Sequence, residues 1–149
     1  MMMWCISSIV SNRQLNIKTM VIDSQILDSL TAKAQAVERL RMNLDLRTSS
    51  EDTSQRMLNA IEPDSVVPVH RHMNTSETIV LLRGRAIQEY YKDDGTCEAS
   101  YELYPGGPIY ALNIPAGQWH AIRSLESGTV ILEMKDGPYQ PVQDCDILK

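Results

Sequence analysis

Between residues 22 and 40 the apolar positions Ile22, Ile26, Leu30, Ala34, Val37 and Leu40 recur at steps of three or four residues. That spacing lines one face of a helix and predicts an amphipathic α-helix packed on the outside of the C-terminal remainder of the chain. Asp23 or Ser24 is placed to cap its start, and Arg39 and Arg41 sit favourably near its negative end, with Asn43 as a stop and a break compatible near Thr31. After a polar loop over Arg47 to Thr53 the texture changes to short strands with regular punctuation. The predicted strands are Gln55 to Glu62, Val66 to His72, Thr78 to Leu82, Arg85 to Tyr91, Cys97 to Tyr104, Tyr110 to Ile114, Trp119 to Ser124 and Thr129 to Met134. Pro68 puts the second of these on an edge or at a bend. Gly84, Asp93-Asp94-Gly95, Pro105 to Pro108, Pro115-Ala116-Gly117 and Ser127-Gly128 supply the turns.

Seven or eight short strands with a turn every eight to twelve residues describe an all-β sandwich or barrel, and a small jelly-roll β-barrel fits best. Nothing suggests β-α-β units or an internal repeat. One leading helix and one block of strands make a single domain, expected to run as a helical segment over 21–48, a barrel over 49–140 and a tail over 141–149. The opening MMMWCISSIVS carries neither a basic start nor a small-x-small cleavage pattern, so residues 1–20 are expected to be a disordered extension rather than a leader.

Composition narrows the partners. The chain has 149 residues, 43% of them hydrophobic, and a formal charge of −5. It has one domain's worth of core and no clustered positive field for nucleic acid. No run is apolar and long enough to span a membrane. Cys5, Cys97 and Cys145 are odd in number and widely spaced, which suggests free thiols and a cytoplasmic location rather than a disulfide framework.

The chemistry concentrates in DSVVPVHRHMNTSETIVLLRG, residues 64–84, and in IPAGQWHAI, residues 114–122. In an extended segment His70 and His72 project to one face, Glu77 comes after a bend, and His120, the last of only three histidines, must arrive from another strand. Imidazoles with a carboxylate suit one divalent transition metal ion (Zn, Fe, Mn, Ni, Co or Cu) and suit Ca or Mg poorly. Three neutral imidazoles and one carboxylate leave such an ion a net +1 and, if it is octahedral, two open positions.

The order H-x-H-x4-E-x6-G at His70, His72, Glu77 and Gly84 resembles the first cupin motif, and P-x-G-x2-H at Pro115, Gly117 and His120 resembles the second. Asp64 stands where the first motif usually opens with glycine, and Ser124 where the second usually ends with asparagine; both are framing positions. From about Val21 to Tyr139 the segments VIDSQILDSL, RMNLDL, QRMLNAIEP, PVHRH, ETIVLLRGR, IPAGQWH, GTVILE and KDGPY resemble the WbuC-type cupin metalloproteins. These are small bacterial proteins associated with clusters for O-antigen and other surface polysaccharides. The resemblance implies an all-β, single-domain cupin with an N-terminal α-helix, a homodimer, and a metal held by those three histidines and the glutamate. It implies no particular catalytic residue.

Two functions are compatible with these features. One is a metal-dependent enzyme, an isomerase, epimerase or dioxygenase, on a small polar, sugar-like molecule connected with surface polysaccharide (O-antigen, lipopolysaccharide) biosynthesis. The other is a non-catalytic module that binds or senses a small molecule through its metal. By alternation from Glu77 and His120, Ile79, Leu81 and Ile122 face inward. Arg56 and Asn59 lie on the strand before the motif, and their odd separation lets only one of them face inward. Glu133, Lys135 and Tyr139 lie on the last strand and tail, and Arg85 flanks the Gly84 turn. Arg56, Asn59, Arg85, Glu133 and Tyr139 are the candidate pocket residues.

Overall fold

A computed structural model describes residues 19–149. The extension expected over residues 1–20 lies outside them except for its last two positions. One helix, α1 (Ser24–Gln35), precedes eight strands: β1 (Arg41–Asp45), β2 (Ser54–Ile61), β3 (Glu77–Arg83), β4 (Ala86–Tyr91), β5 (Cys97–Leu103), β6 (Ala111–Ile114), β7 (Trp119–Ser124) and β8 (Thr129–Asp136). The strands form two antiparallel sheets, ordered β1-β2-β8-β3-β6 and β5-β4-β7. Facing one another, they make the small jelly roll that the strand-turn rhythm predicts.

Asp23 caps α1, its carboxylate accepting from the Ile26 N–H at 3.1 Å. The helix ends at Gln35, well short of the stop expected at Asn43: Ala36 caps it, and the chain then turns through Leu40, which is left-handed with φ of 53°. Arg41–Asp45 then runs as a strand beside β2, in register Asn43 to Asn59. The helical periodicity through Val37 and Leu40 is a coincidence of apolar residues in a turn. Arg39 and Arg41 consequently leave the helix and reach the rim of the barrel.

The period-two alternation of β2, β3 and β8 divides the five-stranded sheet into two faces. Leu58, Ala60 and Val130 pack outward against Leu30 and Ala34 of α1. Ile61, Ile79 and Ile131 pack inward, with Leu81, Leu112 and Ile122 around them. The same inward rows carry Asn59, Glu77, Glu133 and Lys135 toward the barrel interior. Their polar ends therefore share a space with the inner core.

Residues Val66 to His72 differ from the expected strand. They are extended but unpaired except for bridges from His70 to His120 and to Ile147. Pro68 has no N–H to give a ladder, which accounts for the loss of regular pairing.

Gly84 turns the chain from one sheet into the other at φ +83°, and a Cβ placed there would lie 2.6 Å from Thr129 Cα and 2.9 Å from Thr129 Cβ. Thr129 cannot move away: it is fully buried, and its hydroxyl bonds both the N–H and the carbonyl of Arg85. Gly84→Ala is therefore expected to cost about 2–4 kcal/mol in urea unfolding, from strain and overpacking together. A loss below about 1 kcal/mol would show that the turn relaxes freely.

Candidate metal centre

His70 is brought to the barrel by its backbone. Its N–H donates to the carbonyl of His120 at 3.0 Å, and the His120 N–H returns the bond at 2.8 Å. One step on, the Gly117 N–H donates to the His72 carbonyl at 2.8 Å. Gly117 can do so because it sits at φ +81° in the turn closed by the Gln118 N–H on the Pro115 carbonyl, a position that favours glycine. The P-x-G-x2-H spacing is thus a turn that docks one histidine stretch on the other.

Arg71, between the two imidazoles, points the other way. Its guanidinium lies 4.2 Å over the Trp119 ring and bonds Asp146 at 2.9 Å. Trp119 is itself held by its indole N–H on Asp93 at 2.8 Å. The C-terminal tail closes over the segment, with the Leu148 N–H on the Val69 carbonyl at 2.9 Å.

The three imidazole rings form a triangle with centroids 5.1, 4.5 and 5.7 Å apart. Each offers a ring nitrogen within 4.8 Å of the other two. Nδ1 of His70 meets the Pro68 carbonyl at 2.9 Å and Nδ1 of His120 meets the Gln118 carbonyl at 2.8 Å. Carbonyls only accept, so both Nδ1 atoms carry the proton and both Nε2 lone pairs are free to point at a common centre. At His72 the Nε2 lies between the Lys135 ammonium, at 3.3 Å, and the Glu77 carboxylate.

Glu77 completes the group, with its carboxylate 3.1 Å from His72 Nε2 and 3.9 Å from His120 Nε2. His120 Nε2 is buried without a hydrogen bond, and Glu77 Oε2 has only His72 Nε2 and the Lys135 ammonium, at 3.5 Å, beside it. An orphaned imidazole nitrogen facing a buried carboxylate is what a bound cation would satisfy, and the donor set of three imidazoles and one carboxylate fits a transition metal. Lys135 is the one group that competes for the position. It also borders a cleft under the tail, toward which its flexible stem can withdraw.

Burial pushes the His70 pKa down to about 4, helped by the neighbouring His120, and burial likewise lowers that of His120. Burial alone would raise Glu77, but the hydrogen bond from His72 and the charge of Lys135 overcome it and hold the carboxyl below its usual range. Glu133 moves up, through burial and then repulsion by Glu77. The candidate ligands His70, His120 and Glu77 therefore favour the protonation states that metal binding needs.

A cavity of about 150 Å³ opens beside the centre, with His70, Glu77 and His120 in its wall. Of the candidate pocket residues, Asn59 and Glu133 line it and bond each other at 2.8 Å. Arg56 does not: it falls on the outward face with Leu58 and Ala60 and pairs with Asp52 at 2.9 Å. Arg85 lies at the sheet-crossing turn, paired with Glu102 and over Tyr104, and Tyr139 is exposed on the tail; neither lines this cavity. Lys135 enters the centre as the cross-strand partner of Glu77. Arg39, Arg41 and Gln88 also line the cavity. Gln88 had a signal, a polar residue in an inward row of an apolar strand, whereas the two arginines were masked by the overlong helix.

Residues 22–103 match the family described as Domain of unknown function (DUF6016). No curated protein matches the chain significantly. Among solved structures, the chain resembles an oxalate oxidase in complex with the substrate analogue glycolate (TM-score 0.59, 11% identity, 73% of this chain and 57% of that one). It resembles CapF bound to the inhibitor 3-isopropenyl-tropolone (TM-score 0.53, 19% identity, 66% of this chain and 28% of that one). It also resembles an oxalate decarboxylase of Bacillus subtilis described for its Mn(II) centres (TM-score 0.53, 16% identity, 73% of this chain and 27% of that one). In each case the chain spans less than two thirds of the neighbour's length, and the likeness is one of fold. Two facing antiparallel sheets behind a leading helix agree with the fold of these cupin neighbours, and the chain belongs to the DUF6016 family on a cupin jelly-roll fold.

Proposed function

We propose that His70, His72, Glu77 and His120 hold one divalent transition ion, and that the protein is a metal-dependent enzyme acting on a small polar, sugar-like molecule. The observation that carries this is the convergence of three imidazole nitrogens within 4.8 Å of one another, with His120 Nε2 buried and without a hydrogen bond and the Glu77 carboxylate beside it. The Mn(II) centres described for a protein of the same fold are consistent with such an ion. A bound ion would polarise a substrate carbonyl or hydroxyl. The chain's own residues do the rest: the Pro68 and Gln118 carbonyls fix the two imidazoles, Ile79, Ile122 and Ile131 wall the cavity, and Lys135 holds a positive charge beside Glu77. The likeness of the chain to WbuC-type proteins supports a role in surface polysaccharide (O-antigen) biosynthesis.

One observation favours a binding or sensing module instead. Glu133 has both oxygens engaged, by Asn59 at 2.8 Å and Lys135 at 3.3 Å, so the cavity offers no free carboxylate as a general base. Single-turnover assays separate the two readings: the module binds its ligand without converting it. A homodimer is also proposed, through the outer edge of β1, which pairs with no other strand among the described residues; light scattering showing only monomer at working concentration would rule it out.

Replacing His70 and His72 together by Ala is expected to abolish stoichiometric metal in protein purified without chelator. Full retention by elemental analysis would overturn the site. The metal-free protein should also lose stability on acidification. His70 and His120 have lowered folded pKa values, so from about pH 6.5 down toward pH 4 the unfolded chain binds protons that the folded one does not, and stability falls as pH drops across that window. Glu77 acts in the same direction below its unfolded value, while Glu133, raised, opposes it. Two imidazoles and one carboxyl outweigh one carboxyl, so urea midpoints should be lower at pH 5 than at pH 7.5. An unchanged midpoint would show that the imidazoles are not buried neutral.

A further inference from the structure

The cavity beside the imidazoles carries two arginines that packing of the barrel does not explain. Arg39 and Arg41 both line it, and their side chains bond the Arg41 and Val66 carbonyls and Ser65 rather than any acid. Among the described residues neither guanidinium lies within ion-pair distance of a carboxylate, whereas Arg47, Arg56, Arg71, Arg83, Arg85 and Arg123 all do. Two adjacent, unpaired guanidiniums repel one another and keep donors to spare, since each carries five N–H groups in a fork that matches a carboxylate or a phosphate.

Further in, Gln88 is 1% exposed and its side-chain nitrogen has no hydrogen-bond partner. A buried donor left unmet is a standing cost, which an oxygen placed in the cavity would recover. The negative groups of the wall do not offset the positive ones. Glu133 is engaged by Asn59 and Lys135, and Glu77 belongs to the imidazole cluster. With a divalent ion in place, its charge and those of Arg39 and Arg41 outweigh those of Glu77 and Glu133, and the cavity keeps a positive excess.

We propose that the cavity binds a small, oxygen-rich anion whose carboxylate or phosphate group lies between Arg39 and Arg41, with a further oxygen accepting from Gln88. The proposal deepens the metal-site assignment, on which it rests only for the ligand's innermost end. A free volume of about 150 Å³ confines that ligand to a few carbon atoms within the barrel.

The test is calorimetric titration of the full chain, loaded with zinc and its metal content measured, using D-glycerate, glycerol 3-phosphate and uncharged glycerol as probes. At least one anion should bind about tenfold or more tighter than glycerol, and which one it is identifies the group that the arginines hold. Arg39→Gln and Arg41→Lys should each weaken that anion about tenfold while zinc stoichiometry stays at the wild-type value. Arg39 is exposed, so its variant keeps the test valid if Arg41, which also ties down Val66, proves necessary for folding. Gln88→Leu should weaken the anion with zinc retained. Anions that bind no tighter than glycerol, or anion affinity unchanged in Arg39→Gln with zinc retained, would overturn the proposal. Wild-type protein that takes up none of zinc, manganese, iron(II), cobalt, nickel or copper would overturn the metal assignment instead, and the arginine dependence of anion binding in that metal-free protein would still decide this one.

Discussion

The site depends on one pair of backbone hydrogen bonds, the reciprocal N–H to carbonyl contacts between His70 and His120. The segment around His70 has a proline, no regular ladder and no packing row of its own, so its register on β7 starts from that pair. Side-chain direction in an extended segment has a period of two, and a slip of one residue would send Arg71 inward and both imidazoles out. Three further contacts guard against that slip: Gly117 on the His72 carbonyl, Arg71 on Trp119, and the tail's Asp146 and Leu148 on the far side. Each of the alternating residues thus has a partner only in the observed register.

Burial then sets the electrostatics. An imidazole taken out of water resists a second proton, so His70 and His120 stay neutral, as ligands must. A carboxylate in the same place would also prefer its neutral form, but the hydrogen bond from His72 and the charge of Lys135 hold Glu77 ionised. Lys135 in turn lies 3.3 Å from Glu133, directly along its own strand face. This row of charges is stabilised as a set, and removing any one member leaves another buried and unmatched.

Much of this was legible in the residues. The turns at Gly84, Gly95, Gly117 and Gly128 marked the strand boundaries closely, and the histidine and glutamate spacing named four groups that the fold does bring together. What failed did so for identifiable reasons. Val37 and Leu40 continued a helical period by chance, which hid β1 and with it the place of Arg39 and Arg41. Arg56 and Asn59 could be separated only once the inward face of β2 was known, because alternation says that two positions differ without saying which is inside. Arg85 and Tyr139 lie next to a turn and a strand end in the sequence, but distance in a barrel is set by sheet order, which leaves both away from the cavity.

The division of the five-stranded sheet explains how a small domain can tolerate so many buried polar groups. Its outer face is covered by α1, so Leu58, Ala60 and Val130 make a dry core that does not involve the site. That core stabilises the sheet independently of the barrel interior, where each buried polar group must be matched or bear a cost. On the inner face the apolar rows are confined to Ile61, Ile79, Ile131 and their neighbours, and the rest of the space is left to hydrogen-bonding side chains. Where those side chains satisfy one another, as Asn59 and Glu133 do, they are framework. Two that do not, His120 Nε2 and Gln88 Nε2, belong to residues lining one cavity, and that sets it apart from a packing defect; Gln55 Oε1, also unmet, belongs instead to the cleft under the tail.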